Sequence, residues 1–143
     1  NAGIDMWTLM REIQLPPELR VGQGYGKVSW AVRTFWEEYI GWFKLAATSE
    51  LYPDSAPAAM AELLAITGTD AALDRAEAAL ARGDAVLAVR LGEAIAEVAP
   101  EDERLRALMA AAHRRLLDTG GDVSFWENGW LRTEIARWGG ELP

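Results

Sequence analysis

Residues 72–100, ALDRAEAALARGDAVLAVRLGEAIAEVAP, read as two helices joined by a tight turn. Apolar and small side chains recur at the helical period on both sides of Gly83. Asp70 is the expected cap of the first helix and Asp84 of the second, because a short acidic side chain accepts the unpaired N–H groups of a first turn. Gly83 stops the first helix, and Pro100 lies past the end of the second, where proline cannot continue it. No stretch elsewhere shows strand-like alternation, so the chain is expected to be all-α, a multi-helix bundle built around this hairpin.

Within the hairpin, Ala76 falls early in the first helix, Gly83 at the turn, Ala88 five residues on and Pro100 twelve further. This spacing resembles one tetratricopeptide-type repeat, in which small residues let paired helices approach closely. One repeat cannot bury its own faces and must lean on flanking helices.

Those helices are legible in both directions. Upstream, Asp5 caps a short helix carrying Met6, Leu9, Met10 and Ile13, and Pro16-Pro17 ends it. A turn with Gly22, Gly24 and Gly26 follows, and then a helix over residues 28–44. On that helix Val28, Ala31, Val32, Phe35, Trp36, Tyr39, Trp42 and Phe43 share one face, expected to be core, while Arg33, Glu37, Lys44 and Trp30 lie opposite. Residues 45–56 are irregular. Pro57 is placed at the first position of a helix that Gly68 stops. Downstream, Glu101, Asp102 and Glu103 form the acidic first turn of a long helix. It buries Leu105, Leu108, Met109, Ala112 and Leu116 and stops at Gly120-Gly121. A final helix from about Ser124 carries Phe125, Trp126, Trp130, Leu131, Ile135 and Trp138.

The chain has 143 residues, enough for one domain over residues 1–143, and carries a net charge of −8. An acidic balance disfavours nucleic acid, which demands clustered Lys and Arg, and also disfavours anionic membrane surfaces. No apolar run reaches the roughly 20 residues of a membrane span, so a soluble protein is expected, its compartment open between bacterial cytoplasm and periplasm. The start at Asn1, without Met, reads as a piece of a longer chain. There is no cysteine and one histidine, His113. A catalytic zinc site draws mostly on His and Cys, commonly about three ligands, so no metal and no cofactor are expected in this fragment. His113 reads as a partly buried helix-surface residue. Ser29 and Ser124 stand in no nucleophile elbow, and Ser124 is better read as a helix start. Glycines at every second position with no preceding strand make no dinucleotide fingerprint. Seven tryptophans exceed what one small core needs. Trp30, Trp126, Trp130 and Trp138 are therefore taken as candidates for a partner-buried surface.

The segment Gly24-Tyr25-Gly26-Lys27-Val28-Ser29-Trp30-Ala31-Val32-Arg33, then Tyr39-Ile40-Gly41-Trp42-Phe43, preceded by Leu15-Pro16-Pro17-Glu18-Leu19, resembles the dimerisation domain of alkyl sulfatases. The resemblance continues more loosely to Phe125-Trp126-Glu127-Asn128-Gly129-Trp130-Leu131-Arg132. It implies a helical bundle interlocking with a second copy, hence a homodimer. It also implies an upstream metallo-β-lactamase-type catalytic domain holding the zinc, and in some members a following sterol-carrier-like domain. In the sulfatases the glycine turn reads Tyr-Tyr-Gly-Thr and a His-Asn pair follows; here Gly24, Lys27 and Trp30-Ala31 stand there. The Asp-Gly-Asn-Pro type loop after Gly-Trp-Phe is replaced by Lys44-Leu45-Ala46-Ala47. The resemblance thus implies a hydrolase of that superfamily and does not carry sulfate-ester specificity with it.

Tyr25, Lys27, Ser29 and Arg33 are the candidate substrate-binding residues. A helix begun near Gly26 would present Tyr25, Ser29 and Arg33 on adjacent turns, and a guanidinium fork suits an oxyanion. The alternative for Arg33 is an i,i+4 pair with Glu37. A second reading of the whole chain is a free-standing helical-repeat module binding a peptide in a groove, distinguished from a dimer by its size in solution.

Overall fold

The computed structural model describes residues 3–53, 56–120 and 124–142, the side chains of residues 56–58 aside. Among the described residues the regular structure is all helical, with no strand. In order come α1 (Met6–Glu12), α2 (Val28–Ile40), α3 (Ala56–Thr67), α4 (Thr69–Ala81), α5 (Ala85–Ala96), α6 (Glu103–Thr119) and α7 (Phe125–Arg137). Short 3-10 turns at Pro17–Leu19 and Thr48–Leu51 punctuate the first third. The packing divides into two compact units, residues 1–53 with 122–127, and residues 54–121 with 128–143.

The second unit holds the hydrophobic core. Helix α4 packs chiefly on α5 and α5 on α6, with α3 against α4 and α5. Leu64, Leu73, Ala76, Ile95, Leu105, Leu108 and Met109 close the main cluster, and Trp138 packs against it. Ala79, Ala88 and Ala112 form a smaller cluster where the three helices meet. Small residues are what such close approach requires: a Cβ added at Gly92 of α5 would collide with the Met109 sulfur of α6. Asp84 and Asp102 cap α5 and α6, accepting from the N–H groups of Leu87 and Leu105 at 3.1 and 3.0 Å. Across the α4/α6 seam, Arg104 reaches Asp70, Asp74 and Glu77. Hydrogen bonds to Glu77 first, then Asp74, push its guanidinium pKa further up.

Several expectations need correction here. Asp70 does not cap α4; the cap is Gly68 at φ +81°, and Asp70 lies inside the first turn. Of the acidic trio at 101–103, Asp102 is the cap and only Glu103 lies in the first turn of α6. Leu116 is only half-buried. His113 is fully buried, not partly so, because its Nδ1 meets the Met109 carbonyl of its own helix at 2.7 Å and needs no other partner there. The backbone of α3 begins at Ala56, one residue ahead of Pro57. Trp138 lies just past the end of α7. Gly121, the second glycine of the expected stop after α6, lies outside the described residues.

The first unit is built differently. Asp5 caps α1, accepting from the Thr8 N–H at 3.0 Å and from its hydroxyl at 2.7 Å. Helix α2 stops at Ile40, four residues short of the expected end, because Gly41 takes φ +76° and turns the chain out of the helix. The stripe expected to be core is not core: α2 has no buried residue, and Phe35, Tyr39 and Trp42 are 65, 88 and 73% exposed. The physical reason is length. Within this unit α2 packs on α1, whose 7 residues cannot cover a helix of 13. Met6 is the one buried hydrophobic among the unit's described residues.

Candidate functional site

The glycine turn and the beginning of α7 form one knot in the first unit. Phe125 N–H donates to the Gly24 carbonyl at 2.6 Å, and the Tyr25 and Phe125 rings lie 6.1 Å apart. Lys27 Nζ stands 2.5 Å from Glu127 Oε2, an oxygen shielded from solvent that takes the charge contact without an aligned hydrogen bond. Ser124 is buried and its hydroxyl faces the Glu127 N–H at 3.4 Å, a helix-start role as expected. Lys27, at the cap position of α2, contributes no side-chain cap; the Gln23 side chain supplies it, accepting from the Val28 N–H at 3.1 Å.

Beside this knot lies an open groove of about 570 Å³, a volume typical of small-molecule sites. Lys27 and Ser29 line it, with Arg11 and Arg20 and the apolar Ile13 and Val28. Arg11 donates to the Thr8 hydroxyl at 2.9 Å and Arg20 to the Gln14 side-chain carbonyl at 3.0 Å. Both partners are neutral, so neither guanidinium is compensated by a salt bridge among the described residues. Two cations over an apolar wall suit an anionic group carried on an apolar body.

The four candidate substrate residues are therefore not gathered at one place. Lys27 and Ser29 reach the groove. Tyr25 does not line the groove; it is exposed and stands against Phe125. Arg33 lies over the Trp7 ring at 5.9 Å and binds Glu37 Oε1 at 3.0 Å, the i,i+4 pair. That bond, ahead of the Coulombic pull of Arg33 and Lys44, holds the Glu37 carboxyl below its ordinary range despite some burial. Sequence reading missed Arg11 and Arg20. The available signal was three cations, Arg11, Arg20 and Lys27, inside one short stretch of an acidic chain.

Gly22, Gly24 and Gly26 take no positive φ, and a Cβ at Gly22 or Gly26 would meet nothing within 4 Å. Nothing in the packing of the described residues demands glycine at those two positions. Past the end of α2, Glu50 folds the loop after Phe43 by accepting from the Lys44 and Ala47 N–H groups at 2.6 and 3.1 Å. Leu45 is held there at φ 58°, a left-handed conformation that strains a side-chain-bearing residue.

The alkyl sulfatase dimerisation family model matches residues 6–132. The chain belongs to that family. No curated protein and no solved structure matches it. For a member of a dimerisation family, the exposed aromatics become the surface of interest. Trp30 and Trp126 belong to the first unit, Trp126 packed edge-on against Phe125 with centroids 5.4 Å apart. Trp130 and Trp138 belong to the second; Trp130 is exposed, whereas Trp138 is half-buried and donates to Glu134 at 3.3 Å. Phe35, Tyr39 and Trp42, assigned to the core from sequence, are more exposed than Trp30.

Among the described residues no group of three or more His, Cys, Asp or Glu could hold a metal ion. The single His113 has one ring nitrogen committed to Met109. No described helix is long and apolar enough to cross a membrane.

Proposed function

We propose that this domain holds two copies of a hydrolase together, and that the stripe on α2 is the heart of the contact. The observation that carries the reading is a 13-residue helix with no buried side chain, its Phe35 and Tyr39 in solvent and an exposed Trp42 just past its end. A single copy has no helix in that unit able to cover them. Large aromatics each bring roughly 150–250 Å² to an interface, and interlocked homodimers bury above about 2,000 Å² in total. Trp30 and Trp126 extend the same unit's apolar surface. Sedimentation equilibrium on the 143-residue chain tests this. A two-fold dimer is expected, and a monomer at every concentration would overturn the reading.

The catalytic domain, with its zinc, is proposed to precede this one in the parent chain. The groove beside Lys27 and Ser29 then completes a wall of that active site, with Arg11 and Arg20 drawing in the anionic end of the substrate. Glycines at 22 and 26 with empty space outside them support the close approach of another surface there. In the full-length enzyme R11Q/R20Q should raise KM roughly tenfold, since hydrogen bonds to charged groups are the strong ones. Unchanged kinetics in an intact dimer would remove the groove from the active site.

A further inference from the structure

The second unit carries a concavity of about 520 Å³ that neither dimerisation nor the catalytic reading uses. It lies between the end of α4 and the later turns of α6. Arg82, Arg114 and Arg115 line it, with Leu80 and Ala111 as apolar wall and Asp118 as the one carboxylate. None of the three guanidiniums makes an ion pair or hydrogen bond among the described residues. Elsewhere four arginines are paired with acids: Arg33 with Glu37, Arg104 with three acids, Arg106 with Glu101 and Arg137 with Glu134. Arg114 and Asp118 even stand at pairing distance in sequence, yet form no bridge.

Stability does not account for this grouping. Arg82 follows the last residue of α4, where a cation complements the helix dipole. Arg114 and Arg115 sit inside α6, beyond the reach of that effect, and like charges gathered around one hollow repel. In a chain of net charge −8, three uncompensated cations facing one cavity form a locally positive site in a negative field.

We propose that this concavity docks an extended acidic segment of a partner protein. Two or more of the segment's carboxylates would meet the guanidinium forks, a small aliphatic side chain would rest on Leu80 and Ala111, and Asp118 would accept a main-chain N–H. Asp118 is what selects a peptide over a compact polyanion. A carboxylate beside the arginines repels clustered phosphates but suits a backbone that alternates donors with acidic side chains. The chain's overall negative charge likewise sets nucleic acid aside.

The test is fluorescence anisotropy on the 143-residue chain with a labelled Leu-Glu-Asp-Leu-Glu-Asp peptide and its Gln/Asn counterpart. Salt-sensitive binding of the acidic peptide alone is expected. R82Q/R115Q should weaken it by at least about tenfold with unchanged circular dichroism, since neither residue leaves a partner behind. R82E/R115E should instead bind the lysine version of the peptide. D118N should weaken peptide binding. The proposal is overturned if the wild-type chain ignores the acidic peptide, or if R82Q/R115Q binds it as well. It is also overturned if inorganic pyrophosphate displaces the peptide at equal concentration, or binds better to D118N, which would make the hollow a site for a small polyanion.

Discussion

Gly140 follows α7 at a point where the chain passes over its own helix and α6. A Cβ there would stand 2.9 Å from the Ala110 Cβ and the Ile135 Cγ2, and 3.2 Å from the Ile135 carbonyl. None of these can swing aside as a long side chain would. G140A should therefore destabilise by about 1–3 kcal/mol, the usual toll of overpacking, and a thermal melt would register it. G92A should also destabilise, though by less than G140A. The atom it meets belongs to a flexible methionine, and about 1 kcal/mol of helix propensity offsets part of the repacking. The charged residues of the first unit make a pH prediction. The Thr8 side-chain and backbone hydrogen bonds hold the Asp5 carboxyl below its ordinary range, and Arg33 does the same for Glu37. A depressed folded pKa means stability that is complete above the unfolded value and lost as pH falls through the folded one. The α1–α2 pair should loosen as pH drops below about 4, seen as a change in tryptophan fluorescence, and D5N should shrink that acid sensitivity.

Helices α1 and α2 show where sequence reasoning reaches and where it stops. Caps were legible where a short acidic side chain stood alone before a helix: Asp5 and Asp84 each accept an N–H within three residues, whereas Asp70 was taken for a cap that Gly68 occupies and Asp102 was read as part of a first turn that it caps. The hairpin was legible because α4 and α5 bury alternate small and large residues against each other. The α2 stripe was legible as a stripe but not as a surface. Periodicity reports that a face is apolar and says nothing of what covers it, and α1 is too short to do so. The groove escaped because Arg11, Arg20 and Lys27 come together only after the Pro16-Pro17 turn folds them round. At this scale the proposed dimer has a sharp test. A carboxylate placed in a desolvated aromatic contact loses its hydration, so Y39E/W42E should weaken association by at least about thirtyfold, as expected of truncated hot-spot aromatics. Circular dichroism should be unchanged, since both side chains are already exposed in the single copy. Equal dimerisation by the variant would move the contact elsewhere.

The whole molecule combines a unit with a core of its own and a unit almost without one. Stability in the second unit is intramolecular: Leu73, Ile95, Leu105 and Ile135 are wholly buried there, and dilution does not touch them. On the proposed assembly the first unit draws its packing from another copy, so its stability follows mass action. A heat scan of the chain should then show two transitions, the earlier one rising in temperature with protein concentration. Coincident transitions, independent of concentration, would mean that the first unit stands without a partner.

On the proposed assembly, that bare α2 face would also act as a clock. A newly made copy that has not yet met its mate would present Phe35 and Tyr39 on a helix with little holding it shut, and Trp42 just beyond it, side chains that chymotrypsin-like proteases cleave after. Cleavage of transiently opened segments tracks the population of the open form. Chymotrypsin should thus cut within α2 quickly in dilute solution and slowly in concentrated solution, while α4 to α6 persist as a resistant fragment in both. Unmated copies would be short-lived and mated ones durable, which makes the lifetime of the parent chain a readout of how much of it has been made.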